Sequence, residues 1–497
     1  MRVADINLNQ VLHPCQIRSC LVELCADPME VAIMSDLTKA ALDFFDQHKK
    51  EYISELKDLI RIPSISFPGY DAGPVRESAE AAARLLEKAG LQDVQILKTP
   101  GHPSVFGQWR GDKAAPTILL YTHHDVQPPG RDDMWQSPPF EPVERGGRLY
   151  GRGASDDKAG ILIHAAAICS YLNSRGGLPV NVKVVIDGEE ETGSNNLDSL
   201  LERHRELLSA DAVVISDSEN FDSGIPSLTI SLRGIVTVNV LVRSLGSSVH
   251  SGTWGGPLPD PVLALSKMLA SLVDQDGRLA IPGLLEKVRR PSPKEKALIE
   301  GLPYQEGIFR KQAGLLDGVS IIGGDGSVYE KMWRRPSVAI NAIEASSRRQ
   351  AANIINDSAW ARLGIRIVPE MDPMETLQLL KAHLVKNAPW GVHVEITPES
   401  PSHWWTADPD SPAIEAAIHA LEQGYGRRPA VVGAGGSVPF VRTVTDMLGG
   451  IPAILLGVGD PYSSAHSENE SLLLSDWEKA CRSLIHLFAE LGLRLTK

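Results

Sequence analysis

Apolar residues recur at helical spacing from Leu37 to Leu59, and the pattern stops before Ile62, Pro63 and Ser64. The same spacing returns from Val75 to Ala89 and ends at Gly90, so both stretches predict helices that lay one face on a sheet. Elsewhere the period changes. Ile118–Tyr121, the run that opens at Val182, the run that opens at Ala212, and Ile451–Gly457 are short and continuously apolar, as strands buried on both faces are. Lys158–Ser170, with the mostly apolar Ile161–Ile168 inside it, predicts a further helix. From about 232 to 402 the strands alternate instead: RGIVTVNVLVRS opens this segment, ARLGIRIVP and VHVEITP close it, and a helical pattern at Pro261–Leu272 lies between. The expected fold class is therefore α/β, a mainly parallel central sheet flanked by helices over residues 34–231 and 403–497, interrupted by a small α+β domain over residues 232–402. Residues 1–33 carry no clear period and are expected to form a mobile N-terminal extension or to lie upstream of the natural start.

The ends of the buried runs carry the chemistry. After Ile118–Tyr121 comes THHDVQPPG, in which His123 and Asp125 point the same way in extended chain while His124 faces away. Asp125 can then accept a hydrogen bond from the distal ring nitrogen of His123 and set its tautomer for a metal, although a lone histidine at a strand end is more often structural. LYGRGASDDKAG, Leu149 to Gly160, sets Asp156 and Asp157 behind small residues. One such carboxylate can bridge two metal ions, or either can cap the helix that follows. VKVVIDGEEETGS ends in Glu189, Glu190 and Glu191, either a solvated helix start or adjacent carboxylates that divide metal binding from proton transfer. AVVISDSE delivers Asp217, and YSSAHSENE, after the last run, delivers His466. In an open parallel sheet the C-terminal edge is where ligands bind, and five deliveries to that edge give these residues a common centre. The charges also balance: two divalent cations supply about +4, against about −3 from three carboxylates and about −1 from a bridging hydroxide.

Composition narrows the partners. The 497-residue chain is 43% apolar and 22% charged, as soluble globular proteins are, and its net charge of −13 with no dense basic block argues against nucleic acid or an anionic membrane. No apolar run is long enough to span a bilayer, and the N-terminus lacks a basic region followed by an apolar core, so a cytoplasmic location is expected. Of the five cysteines, Cys15, Cys20 and Cys25 lie near His13, but their spacing does not match structural zinc pairs.

Taken together, the motifs resemble the dinuclear zinc peptidase family of carnosinases, cytosolic nonspecific dipeptidases, acetylornithine deacetylase and succinyl-diaminopimelate desuccinylase, over roughly Leu37 to Leu493. THHDVQP resembles that family's GHxDVQP, YGRGASDDKAG its YGRGxxDDKG, DGEEETGS its EGEEExGS, and SAHSENE its AHSxNE. The resemblance implies a zinc-exopeptidase-like catalytic domain with an inserted lid that pairs two subunits into a homodimer. It implies two divalent metal ions per subunit, zinc by expectation with manganese and cobalt also suited, one held by His123, Asp156 and Asp217 and the other by Asp156, Glu191 and His466. Glu190 would be the general base acting on a metal-bridging water, Asp125 would orient His123, and the Asp156–Asp157 peptide bond would be cis. SSVHSGTWGG resembles the lid motif DLHSGxxGG, so His250 would reach the partner's active site and steady the oxyanion, unless it is an ordinary surface histidine. Asn353 matches a substrate-contacting position, although Asn356 stands where relatives have proline. Arg366 matches an arginine that grips the substrate carboxylate, and on its alternating strand it could equally be a salt-bridged surface residue. GAGGSVP resembles the dipeptidase loop EGGSIP, with Ser437 near the substrate and Ala434 where dipeptidases carry a glutamate.

The expected activity is metal-dependent hydrolysis of peptide or amide bonds in dipeptides or small peptide-like substrates with a free carboxylate. An N-acyl-amino-acid deacylase, desuccinylase or carbamoylase is the enzymatic alternative, which Ala434 keeps open, and a lid-mediated binding protein is the non-enzymatic one. Gly151 and Gly153 lack the full GxGxxG spacing of dinucleotide sites. Side-chain preference and metal identity are not encoded in any of these motifs.

Overall fold

The structure is a computed structural model that describes residues 28–174, 177–349, 351–436 and 439–495. The chain divides into two compact units. One comprises the chain up to Pro226, Pro409–Pro429 and the chain from Ile451 onward; the other comprises Ser227–Asp408 and Ala430–Gly450.

The first unit is built on strands β1 (Gln92–Leu97), β2 (Ser104–Trp109), β3 (Thr117–His123), β4 (Asn181–Asp187), β5 (Ala212–Glu219) and β6 (Ala453–Gly459), in the order β1-β2-β4-β3-β5-β6. β3, β4, β5 and β6 run parallel, and β1 and β2 pair antiparallel at one side. Every residue of β4 and β6 is buried, which is why these strands read as unbroken apolar runs. The helix Lys158–Leu172 is buried almost all round, packed against the helices Pro28–Ile60 and Leu474–Arg494. A three-stranded sheet, Val143–Arg145, Arg148–Tyr150 and Ser471–Leu473, pairs Tyr150 with Ser471 and so brings the glycine-rich loop after Tyr150 beside the loop before Ser471.

The second unit holds a four-stranded antiparallel sheet in the order Ser337–Glu344, Ser358–Ile367, Gly234–Arg243, His393–Pro398. One face, with Val236, Val238, Val240, Val242, Leu363 and Ile365, packs under the helices Pro261–Ala270 and Pro373–Lys386. Asp260 caps the first of these helices by accepting from Val262 N and Leu263 N. Ser227–Leu232 pairs in parallel with Ala430–Ala434 and antiparallel with Trp405–Thr406.

Several boundaries differ from the sequence reading. The first helix begins at Pro28, inside the stretch assigned to an extension, while residues 1–27, with Cys15, Cys20 and Cys25, lie outside the described residues. The second unit reaches Ser227 and Asp408 rather than 232 and 402, and it takes in Ala430–Gly450. That grouping follows from the pairing of Ala430–Ala434 with Ser227–Leu232, a long-range contact that hydropathy does not register. Among the described residues no helix is long and apolar enough to cross a membrane.

The helices Pro412–Tyr425 and Leu474–Arg494 pack closely at Gly424, where a Cβ would lie 2.1 Å from Ser483 Oγ and 2.8 Å from the Lys479 carbonyl oxygen. Gly424→Ala is expected to destabilise the protein by about 1–3 kcal/mol through overpacking, despite alanine's higher helix propensity. A urea midpoint equal to or above that of the parent would show that the helices can separate at no cost.

Candidate metal centre

Parallel pairing gathers the first ligands. His123 closes β3 in register with Asp187 of β4, and Tyr121 pairs with Ile215 of β5, so His123 and Asp217 reach the same edge. His123 Nε2 lies 3.0 Å from Asp156 Oδ1 and 4.0 Å from Asp217 Oδ1. The other oxygen of Asp156, Oδ2, lies 2.8 Å from His466 Nε2, which in turn is 3.2 Å from Glu191 Oε2. His466 holds a left-handed backbone (φ 61°), a conformation uncommon for a residue with a side chain. The ligand atoms of His123, Asp156 and Asp217 all lie within 4.8 Å of one another, and so do those of Asp156, Glu191 and His466. Imidazole nitrogens and carboxylate oxygens so grouped suit divalent ions, and two groups sharing one carboxylate fit a pair of them. The Asp156–Asp157 bond is cis.

Neither aspartate caps the helix. Asp157 occupies the N-cap position without a side-chain capping bond; its Oδ2 accepts from Thr122 Oγ1 and, at 3.4 Å, from His123 N. Asp125 does more than its spacing suggested. Its Oδ1 lies 3.3 Å from His123 Nδ1, and its carboxylate also accepts from Ser66 Oγ at 2.6 Å, Glu190 N at 3.2 Å and Glu191 N at 3.1 Å. One buried side chain thus orients a ligand and anchors the acidic turn. His124 faces away, with Nε2 2.8 Å from the Pro103 carbonyl oxygen, and burial pushes its imidazole down to about 4.

Sequence reasoning overlooked two buried glutamates. Glu470 accepts from Arg152 Nη1 at 2.7 Å, from the backbone N–H groups of Gly153 (2.9 Å), Ser155 (2.9 Å) and Asp156 (3.1 Å), and from Ser155 Oγ at 3.2 Å. It ties the Asp156 loop to the His466 loop. Glu189 accepts from His102 N, in the loop before β2, and from Asn196 N, and so ties the turn that carries Glu190 and Glu191 to that loop. Both lie within the motifs already singled out, but a buried acceptor of backbone bonds looks, in sequence, like any other acid.

Charge at the centre is strongly perturbed. Burial would lower the His123 imidazole, but hydrogen bonds to Asp125 and Asp156 hold it well above its ordinary value. Hydrogen bonds to Asp156 and Glu191 lift His466 to about 10. Burial would raise Asp156, yet the two histidines keep it below the usual carboxylate range, whereas burial drives Asp217 well above it. Glu190 has a partly open face, but burial and the charges of Glu191, Asp156 and Asp125 push it up to about 8.

The remaining candidates lie in the second unit. The short pair Val249–His250 and Ile354–Ile355 sets His250 opposite Ile354, and Ser251 N donates to the Asn353 carbonyl oxygen at 2.9 Å, so His250 and Asn353 are neighbours. His250 Nδ1 accepts from Gly252 N at 3.1 Å, which leaves the ring proton on Nε2. Arg366 lies half-buried on the sheet face opposite the helices. Ser437 falls outside the described residues.

In the metal-free chain their carboxylate partners raise the proton affinity of both histidines, His466 to about 10, and a metal binds only as those protons leave. Zinc binding followed calorimetrically in buffers of different ionisation enthalpy is expected to release protons at pH 7, with apparent affinity rising about tenfold or more from pH 6 to pH 8. Affinity independent of pH over that range would contradict the ligand set.

The profile of Peptidase family M20/M25/M40 matches residues 119–490. A cysteinylglycine-S-conjugate dipeptidase of Corynebacterium striatum is 33% identical over 428 residues, 86% of this chain and 92% of that protein. The solved structure of the di-peptidase Dug1p from Saccharomyces cerevisiae superposes with a TM-score of 0.80 at 27% identity, covering 92% of this chain and 98% of the other. That of human carnosine dipeptidase 1 gives a TM-score of 0.80 at 25% identity, covering 92% and 99%. The chain belongs to peptidase family M20/M25/M40 and is a metallopeptidase of that family.

Proposed function

We propose that this enzyme hydrolyses dipeptides that end in a free carboxylate, with zinc as its metal, manganese and cobalt also fitting the donors. The observation that carries the reading is the pair of ligand groups that share Asp156, with Glu190 beside them. The relatives named dipeptidases support the substrate class. Two bound ions would lower the pKa of water and polarise the scissile carbonyl.

The protein's own residues do the rest. Glu190 takes the proton of the attacking water and returns it to the leaving amine, a transfer suited to a carboxyl whose affinity for protons is raised. Asp125 holds His123 in one tautomer and keeps the backbone of Glu190 and Glu191 in place. His250, with its proton on Nε2, reaches the active site of the partner subunit and donates to the oxyanion there; Asn353, its neighbour, contacts the substrate, and Ser437 is assigned to substrate binding from its motif. Arg366 grips the terminal carboxylate with a planar fork. A second reading, removal of an acyl or carbamoyl group from an amino acid, is favoured by one feature: Ala434 closes its strand with no charge to meet a substrate amine. Comparing free with N-acetylated dipeptides separates the two.

Pairing of two subunits through the second unit belongs to the same proposal. Ser337–Glu344 is an edge strand whose Ile340 and Ile343 are 40% and 60% exposed, an open row of backbone and apolar groups that a second copy would cover. The free thiols of Cys169 and Cys481 accord with a cytoplasmic setting.

Glu190→Gln, assayed on a panel of dipeptides at unchanged metal content, is expected to lower kcat by about 100-fold or more; retained activity would remove Glu190 as the base. Ile343→Lys is expected to shift the protein from dimer to monomer in light scattering after gel filtration, and a dimer of undiminished affinity would move the interface elsewhere.

A further inference from the structure

The sheet of the second unit carries two arginines with different fates on one strand. Arg362 and Arg366, four residues apart on Ser358–Ile367, share a face. Arg362 is neutralised by Glu399, with bonds of 2.8 and 2.7 Å from Nε and Nη2, and Glu399 is held in turn by Asn239. Among the described residues Arg366 meets no carboxylate, although it is half-buried.

A second arginine lies beside it. Arg233 directly precedes the strand Gly234–Arg243, whose Ile235 pairs with Arg366, and Arg366 pairs on its other side with Ser337. Arg233 Nη1 donates to Ser337 Oγ at 3.1 Å, on the residue that pairs with Arg366 across the strands. The backbone is anchored, with Arg233 N donating to the Ala434 carbonyl oxygen at 3.3 Å, and Gly435 leaves room for the guanidinium, since a Cβ there would lie 2.9 Å from Arg233 Nη2. The Nε of Arg233 is buried without a hydrogen-bond partner. Burial and the neighbouring Arg366 lower its guanidinium to about 10, and among the described residues no acid offsets it.

Two desolvated like charges with free donors are costly unless something brings the opposite charge. A single carboxylate offsets one of them. A residue with both an α-carboxylate and a side-chain carboxylate offsets both, and forked donors suit such planar anions. We propose that Arg233 joins Arg366 in a two-guanidinium subsite, Arg366 for the α-carboxylate and Arg233 for a side-chain carboxylate, so that the enzyme favours dipeptides ending in aspartate or glutamate. This rests on the reading of Arg366 as the carboxylate grip and names the substrate class for it. Ala434, at the end of the adjoining strand, adds no competing charge.

The test measures kcat/KM of the metal-loaded full chain on Ala-Glu and Ala-Gln, with calorimetric binding of free L-glutamate and L-glutamine as a readout independent of turnover. The parent is expected to favour Ala-Glu by about tenfold or more, chiefly through KM, and to bind glutamate correspondingly tighter than glutamine. Arg233→Gln is expected to bring both ratios to about one, and Arg233→Lys, which keeps a charge but loses the fork, to lower them part of the way. A parent without preference, or ratios unchanged in Arg233→Gln, overturns the proposal. Should Arg233→Gln fail to fold, ratios unchanged in Arg233→Lys overturn it. Arg366→Gln tests the underlying reading separately, since it should weaken both dipeptides alike; if it weakens neither, the carboxylate grip itself is lost.

Discussion

The two oxygens of Asp156 face histidines drawn from opposite ends of the chain, and most of the first unit can be read as the means of keeping them there. His123 arrives on β3; His466 arrives on a loop after β6. Asp156 itself sits on a glycine-rich loop with no regular structure to hold it. Glu470 supplies the missing restraint: fully buried, it gathers three backbone N–H groups of that loop and the Arg152 guanidinium, from a position four residues after His466. A buried carboxylate is tolerable only when its acceptors are filled, and here the groups that fill them are the loop that must be positioned.

The same economy holds for the acidic turn after β4. Glu189, Glu190 and Glu191 are consecutive but have separate duties. Glu189 binds the backbone of His102 in a neighbouring loop and of Asn196 after the turn, Glu191 faces His466, and Glu190 keeps a partly open face with a raised proton affinity. Asp125 links this turn to His123: its carboxylate accepts from the backbone of Glu190 and Glu191 and lies 3.3 Å from the imidazole Nδ1, which also meets the Asp125 carbonyl oxygen at 3.1 Å. A displacement of Asp125 would therefore move His123, Glu190 and Glu191 together. So many acids around two histidines also explain the perturbed protonation: the carboxylates repel one another until cations, or protons in their place, offset them.

The second unit obeys a different rule. Helices pack on one face of its sheet, so its strands alternate, and the other face presents partly buried polar groups. On that face Arg362 is matched by Glu399, while among the described residues Arg366 and Arg233 meet no carboxylate, a contrast that no motif records.

Much was legible in the chain alone because burial leaves a periodic trace. Unbroken apolar runs announced β3 to β6, alternation announced the inserted sheet, and residues at run ends pointed to His123, Asp156, Glu191, Asp217 and His466, which the structure gathers within bonding reach of common points. What sequence could not decide is which acids face inward as ligands and which face the backbone. Glu470 and Glu189 are chemically the same as their neighbours, and only the folded loops show that their oxygens are already taken. The assignment of Ala430–Gly450 to the second unit and the surroundings of Arg233, whose buried Nε finds no partner, likewise depend on long-range contacts. Local pattern determines which residues are buried and on which face; the partner a polar group finds is set by tertiary contacts, because hydrogen bonds and charges act over a few ångströms and carry no period along the chain.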